Sequence, residues 1–440
     1  MHFFVSSKPN LKYSKENYIR MALGIEYAFL ILGGLIIIGY FGELLSRKIT
    51  VPIALLLLFI GFGLKLTGLV DAQDFVGIQA IFGTLALIVL LFDGGMSLNI
   101  YEAVFKSGRS LTVGFMSTIF GTVLVALLFF VVGLNPLIGA IIGAIVGGID
   151  TGITLSITKS MTIPEKVKNF LTIESSSNDV LSIILALVLT QALIFGALDV
   201  QVLAQGIVGK FAIGIFVGLI VGIASTLSLA RIEQGYNYMV TLAIVLLLFS
   251  VTEFLNGSGA IAVLVFGIIL GNESVVRGLI HSREVKSYPI VQQFQAEVSF
   301  FIRTFFFVFL GIIVTLGSLT NFAIALAIMA LLYFIRYVIV HFATLNTDLS
   351  KYKRMLIAIN PRGLTTAVLA TYPLILIENA INTNPSPALE SISSQISILS
   401  EIAFYLIVVS VILTSILLPL SNNIKEPVAD SEKTLYEVKI

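Results

Sequence analysis

The stretch TIESSSNDVLSIILALVLTQALIFG, residues 172–196, decides the fold. Its second half is apolar enough for a membrane span, yet its first half carries Glu174, three serines, Asn178 and Asp179. One reading makes residues 172–179 a surface loop, with the span starting at Val180. The other makes them helix. Ser175 and Asp179, four apart, then share a face that Thr172 and Ser182 extend, while Glu174 and Asn178 share a second face turned by about 100°. On that reading the two carboxylates point in different directions and do different work.

The rest of the chain favours the helix. Of 440 residues, 57% are hydrophobic and 12% charged, with a mean hydropathy of +1.03. A water-soluble domain needs roughly 25% charged residues, so a membrane protein is expected. The net charge of +1 gives no reason to invoke nucleic acid. With no cysteine there are no disulfides or thiolate metal sites, and His2, His281 and His341 are too far apart in sequence to suggest zinc or haem. The first twenty residues lack the basic-then-apolar order of a signal peptide. No set of nucleophile and base, and no phosphate loop, points to an enzyme, and no cofactor is expected.

A span needs about 20 mostly apolar residues. That rule places helices at 27–45, 51–69, 75–97, 111–133, 136–158, 171–196, 205–229, 238–255, 257–272, 297–317, 320–345, 355–378 and 396–420, thirteen in all. Residues 1–26 form a tail, 27–420 the transmembrane part and 421–440 a second short tail. Lysine and arginine concentrate in alternate loops, including Arg47, Lys106, Arg109, Lys166, Lys168, Arg231, Lys286, Lys351 and Arg354. These loops should be cytoplasmic, which puts the C-terminus inside and the N-terminus outside. Lys8, Lys12, Lys15 and Arg20 in the first tail oppose that orientation; twelve loops outweigh them. Residues 273–296 read as an amphipathic helix lying along the cytoplasmic surface, a connector before a regulator.

Several charges fall within spans: Lys65, Lys210, Arg303, Arg336 and Arg362, with Glu26, Asp93, Asp150, Glu174, Asp179 and Glu401 inside or bordering them. Each costs about 2.5–3.5 kcal/mol near the bilayer centre, so they should face a bundle interior or a wet cavity. Lys65 and Lys210 lie near span ends and can snorkel. Asp179 with Ser175 offers hard oxygens suited to an alkali cation or a proton, and Glu174 reads as half of a buried ion pair. Two spans look broken. IVGGIDTGITLS (145–156) sets glycines around Asp150, and IAINPRGLTTAV (357–368) sets Pro361 and Gly363 around Arg362. Irregular backbone at membrane depth persists only inside protein or along a water-filled cavity, where charged residues offset the half-helix ends. The two breaks fall in spans five and twelve, matching positions if two inverted six-helix halves, about 27–196 and 238–420, flank the linking helix 205–229.

These residues also resemble a known family, the prokaryotic sodium/proton antiporters of the monovalent cation:proton antiporter family, in the electroneutral branch related to animal sodium/hydrogen exchangers. ESSSND (174–179) resembles its E-S-x-x-N-D motif and LFDGGMSLN (91–99) its F-E-G-G stretch. GSGAIAVLVFGIILGN (257–272), FFIRTFFFVFLG (300–311) and NPRGLTTAVLATYP (360–373) match in order and spacing, so the resemblance covers roughly residues 25–420. It implies an all-α homodimer with a dimerisation domain and a six-helix core holding two crossed, broken helices. By position it implies Asp179 as the carboxylate that binds cation and proton in turn, with Asn178 where the electrogenic branch has a second aspartate. Ser175 and Asp93 match ligand or near-ligand positions, Asp150 the aspartate of the fifth-helix break, and Glu174 a glutamate paired with an arginine, here Arg336. Two departures stand out. The family's T-D-P at the break reads Ile149-Asp150-Thr151, with Thr151 or a backbone carbonyl left to compensate, and Asp93 replaces a glutamate.

The expected activity is exchange of one monovalent cation for one proton across the cell membrane, with no net charge moved and access alternating between sides, in the service of pH and sodium homeostasis. Sodium is the default ion, with lithium as a companion; potassium is second because of Ile149. A passive cation channel is the rival from another class, but single buried acids beside broken helices suit it less than rings of like side chains would.

Overall fold

The structure is a computed structural model that describes residues 33–34, 36–42, 44, 53–67, 76–98, 108–161, 163–196, 200–228, 237–279, 289–314, 318–383 and 385–421. Among these the regular structure is helical, with no strand. In chain order the helices are α1 (Ile53–Leu66), α2 (Val76–Ser97), α3 (Gly108–Val132), α4 (Pro136–Val146), α5 (Thr151–Ser160), α6 (Glu165–Gly196), α7 (Val200–Ser228) and α8 (Asn237–Phe254). They continue as α9 (Gly259–Gly271), α10 (Glu273–Leu279), α11 (Pro289–Ile313), α12 (Leu319–Thr344), α13 (Lys353–Ala358), α14 (Leu364–Thr383), α15 (Pro387–Ile396) and α16 (Ile398–Ser421). Residues 33–44 are helical wherever they are described.

Local chemistry sets the helix ends. Gly133 turns the chain after α3 with φ 80°, a conformation that suits a residue without Cβ, while the Leu134 N–H closes on the Phe129 carbonyl at 2.8 Å. Asn135 then caps α4 by accepting from the Leu137 N–H at 3.0 Å, and Pro136 takes the first helical position, where no N–H is needed. Ser318 caps α12 in the same way, accepting from the Asn321 N–H at 3.1 Å.

Among the described residues, seven stretches are long and apolar enough to cross a membrane: 108–132, 136–158, 165–194, 208–228, 319–344, 364–383 and 387–421. Five shorter apolar helices, at 53–66, 81–97, 239–254, 259–271 and 298–313, fall on further expected spans. The chain is a multi-pass, all-α membrane protein. Expected span 27–45 lies largely outside the described residues, as do both tails. The surface loop is the wrong alternative for residues 172–179, which lie mid-helix in the 32-residue α6. The single surface helix expected over 273–296 is also corrected. α10 ends at Leu279, and residues from Pro289 onward already belong to α11, because proline fits a helix start.

α3 packs on α4, α6 and α12, and α14 packs on α6 and α16. Elsewhere α1 packs on α11, and α9 on α2 and α7. Small residues allow these close approaches: a Cβ on Gly311 would stand 3.1 Å from the Gly61 Cα. Lys65 does not reach solvent alone; its Nζ donates to the Val314 carbonyl at 2.5 Å, just beyond the end of α11.

Candidate functional site

Two spans are interrupted at the same place. α4 ends at Val146 and α5 begins at Thr151; α13 ends at Ala358 and α14 begins at Leu364. The breaks are tied together, since the Asp150 N–H donates to the Pro361 carbonyl at 3.0 Å. Each break places a charge where the half-helix ends call for it. Asp150 caps α5, accepting from the Ile153 N–H at 2.8 Å, and the backbone N–H groups of Leu364 and Thr365 at the head of α14 also act on its carboxylate. Arg362 points the other way and donates to the Gly148 carbonyl just past the end of α4, while its own N–H donates to Ser410 Oγ at 2.9 Å. Gly363 lets the chains cross, because a Cβ there would lie 2.7 Å from Asp150 Oδ1.

α6 passes this crossing. Asp179 Oδ2 accepts from Thr151 Oγ1 at 2.6 Å and lies 3.4 Å from the Thr151 N–H. The Asp150 carboxylate also acts on it, and Thr365 lies nearby, its hydroxyl making no hydrogen bond among the described residues. Asp179 is only half-buried, whereas Asn178 beside it is completely buried. With its amide oriented so that both ends have partners, Asn178 accepts from the Ile149 N–H at 3.2 Å. Its nitrogen then donates to Thr118 Oγ1 at 3.2 Å and to the Gly114 carbonyl. Asn178 therefore joins α6 to α3 and to the first break, using the backbone N–H that the break sets free.

The second face of α6 carries Glu174. Its Oε1 lies 2.6 Å from Arg336 Nη1 of α12, with the two side chains 0% and 3% exposed. Arg336 Nε donates to the Leu356 carbonyl at 2.8 Å, so the same arginine holds α13, the short half of the second broken span.

Asp179, Thr151, Asp150 and Asn178 meet at the crossing, with Arg362 behind it. Ser175 and Asp93 are placed differently. Ser175 Oγ donates to the Thr172 carbonyl at 3.1 Å, and Asp93 on α2 lies 3.4 Å from Ser299 Oγ of α11. Three contributors escaped the sequence. Arg303 of α11 was noted only as a misplaced charge; its guanidinium acts on Asp150, and its Cζ would lie 3.7 Å from a Cβ on Gly152. Thr118 and Thr365 carry no pattern that separates them from other membrane threonines.

A profile described as "Sodium/hydrogen exchanger, transmembrane" matches residues 33–423. The chain belongs to the sodium/hydrogen exchanger family. That is a family of transporters rather than enzymes. Among curated relatives, the K(+)/H(+) antiporter NhaP of Alkalimonas amylolytica is 30% identical over 263 residues, covering 56% of this chain and 44% of that protein. The K(+)/H(+) antiporter NhaP2 of Shewanella sp. (strain ANA-3) is 26% identical over 238 residues, covering 52% and 41%. The match thus spans less than half the length of these relatives. Among solved structures, the sodium proton antiporter MjNhaP1 from Methanocaldococcus jannaschii at pH 8 superposes with a TM-score of 0.73 at 21% identity, covering 90% of this chain and 98% of that one. A second MjNhaP1 structure, an electron-microscopy map, gives 0.67 at 22% identity, covering 91% and 99%. At these identities the structures establish the shared fold of this exchanger-family chain.

Proposed function

We propose that this exchanger-family protein is a secondary antiporter that trades one monovalent cation for one proton at Asp179. The observation that carries the proposal is the setting of Asp179: a half-buried carboxylate touching the first residue of α5, at a helix break shared with Asp150. Asp179 must release its proton before it can hold a cation, so the two compete for one negative charge. Thr151 Oγ1 is a hard oxygen already at the carboxylate, suited to an alkali cation and placed to compensate for the hydroxyl missing at Ile149. Ser175 and Asp93 are the more distant candidates for ligands. Asn178 carries no charge and is occupied with α3 and Ile149, so it supplies structure at the position next to Asp179.

The stoichiometry follows. Asp150 is offset by the heads of α5 and α14 and by Arg303, and Arg362 by the carbonyl at the end of α4. With both charges proposed to stay constant through the cycle, Asp179 alone changes partner, and each cycle moves no net charge. Access is proposed to alternate as a core containing α3–α6 and α12–α16 moves against the remaining helices in a homodimer. Residues 27–196 and 238–420 would be its inverted halves, linked by 205–229, with the basic loops and C-terminus cytoplasmic, the N-terminus outside and the protein in the cell membrane.

Sodium, with lithium, is the first substrate proposed. Potassium is the second reading, supported by Ile149 and by curated relatives named as K(+)/H(+) antiporters. The test is exchange in proteoliposomes against a pH gradient with sodium, lithium and potassium in turn. Saturable proton movement with one of them supports antiport, and its ion identity chooses between the readings. Cation flux without coupled proton movement would favour a channel instead.

A further inference from the structure

A cavity of about 530 Å³ opens at the basic end of the bundle, away from the crossing. Arg109 and Lys166 line it, together with the start of α3 at Gly108, the ring of Phe170 and the turn at Asn346 and Asp348. Lys166 Nζ reaches Asp348 Oδ2 at 3.0 Å, and its hydrogen bond, with its charge, holds the Asp348 carboxyl below the ordinary carboxylate range. Two cations against one anion leave the lining with a net positive charge. Arg109 is exposed and makes no ion pair among the described residues, and no acidic residue occupies the first turn of α3.

A separate observation fixes what lies beside this cavity. Met116, Ile119, Phe120, Val123, Leu127 and Phe130 form an exposed apolar stripe along α3. Arg109 stands on the same stripe, seven residues before Met116. From Arg109 to Phe130 the helix rises about 32 Å, close to the thickness of a bilayer's hydrocarbon core of about 30 Å. A lipid whose acyl chains lay along α3 would therefore present its headgroup to this guanidinium.

We propose that this cavity binds the phosphodiester headgroup of an anionic phospholipid whose acyl chains lie along the exposed stripe of α3. Arg109 would grip two phosphate oxygens with its planar fork, Lys166 would add a point charge from α6, and the N–H groups that begin α3 would supply further donors. Basic pockets between membrane helices suit such headgroups. The seated lipid would bridge α3, α6 and the turn after α12, helices that also carry Asn178, Glu174 and Arg336. The proposal stands whether or not the exchange reading does.

The test is thermal unfolding of the purified full chain in a mild detergent with added phosphatidylglycerol, phosphatidylcholine or glycerol 3-phosphate. Phosphatidylglycerol should raise the midpoint by about 2 °C or more, and phosphatidylcholine should not. Arg109→Gln should weaken the half-saturating lipid concentration about tenfold, the loss of one charge-assisted contact. Arg109→Gln with Lys166→Gln should abolish the response. Arg109→Lys keeps a charge and should retain part of it, which separates loss of the site from damage to the fold. An undiminished response in the double variant, or equal responses to the two lipids, would overturn the proposal. So would an equal rise with glycerol 3-phosphate, which would assign the cavity to free phosphate esters.

Discussion

Exchanging Glu174 for glutamine would leave the Arg336 guanidinium buried with one described hydrogen bond, from Nε to the Leu356 carbonyl at 2.8 Å. Breaking a buried ion pair by removing one partner costs about 3–5 kcal/mol, because the other charge stays buried and uncompensated. Here the pair is single-pronged: one contact at 2.6 Å, with Glu174 Oε2 and Arg336 Nη2 both lacking a hydrogen bond among the described residues. The lower end, about 3 kcal/mol, is therefore expected for Glu174→Gln. Arg336→Gln also releases Leu356 and should cost about 4 kcal/mol. The double variant has no orphaned charge, so it should lose less than either single variant. At about 2–4 °C per kcal/mol for a domain of roughly 200 residues, the single losses are about 6–16 °C, and less in a larger chain. The chain has no tryptophan, so helicity by circular dichroism during heating, at one fixed scan rate, is the suitable assay. Additive losses, or an unchanged Glu174→Gln, would refute the coupling.

Thr151→Val removes the hydroxyl 2.6 Å from Asp179, and should weaken apparent cation affinity about tenfold in exchange assays, the value of one hydrogen bond to a charged group. Gly363→Ala would drive a methyl to 2.7 Å or closer against the Asp150 oxygens, and should cut exchange at least about tenfold at unchanged expression, since a misplacement near 1 Å can cost that much or more. Asn178→Ala strands the Ile149 N–H and should cost about 1–3 kcal/mol of stability while cation and proton still compete. Asn178→Asp should instead make the exchange rate respond to an imposed membrane potential, which the parent should not. The Lys166–Asp348 link has the opposite kind of test. Because Asp348 is held below its ordinary value, the link contributes above about pH 4 and is lost as pH falls through the lowered value. Both groups are exposed, so added salt should erase the difference between Asp348→Asn and the parent in thermal midpoint.

Much of this arrangement was legible in the sequence, for identifiable reasons. Membrane spans announce themselves because lipid tolerates few charges, so the few inside them draw notice. Helical spacing alone separated the Glu174 and Asp179 faces of α6, and those faces meet α12 and the first break respectively. Glycine and proline marked both breaks, because only an irregular backbone explains them around Asp150 and Arg362. What stayed hidden depends on three-dimensional approach. Ser175 shares Asp179's face by spacing, yet its hydroxyl turns back to the Thr172 carbonyl, a bond open to any helical serine. Arg303 gave no hint of its partner, because α11 and the first break lie about 150 positions apart. Asn178 looked like a neutral stand-in for a second acid; its hydrogen bonds to α3 and Ile149 explain why an amide, with a donor and an acceptor, fits there.

The central claim is that one carboxylate, Asp179, holds cation and proton in turn. Its most direct measurement compares the parent and Asp179→Asn in proteoliposomes, following cation-driven proton movement at matched reconstitution, with gel filtration establishing that both are folded. An amide of the same shape cannot cycle between the two ligands, so exchange should fall to the level of empty liposomes. Exchange near the parent rate in Asp179→Asn would contradict the account and move the centre elsewhere.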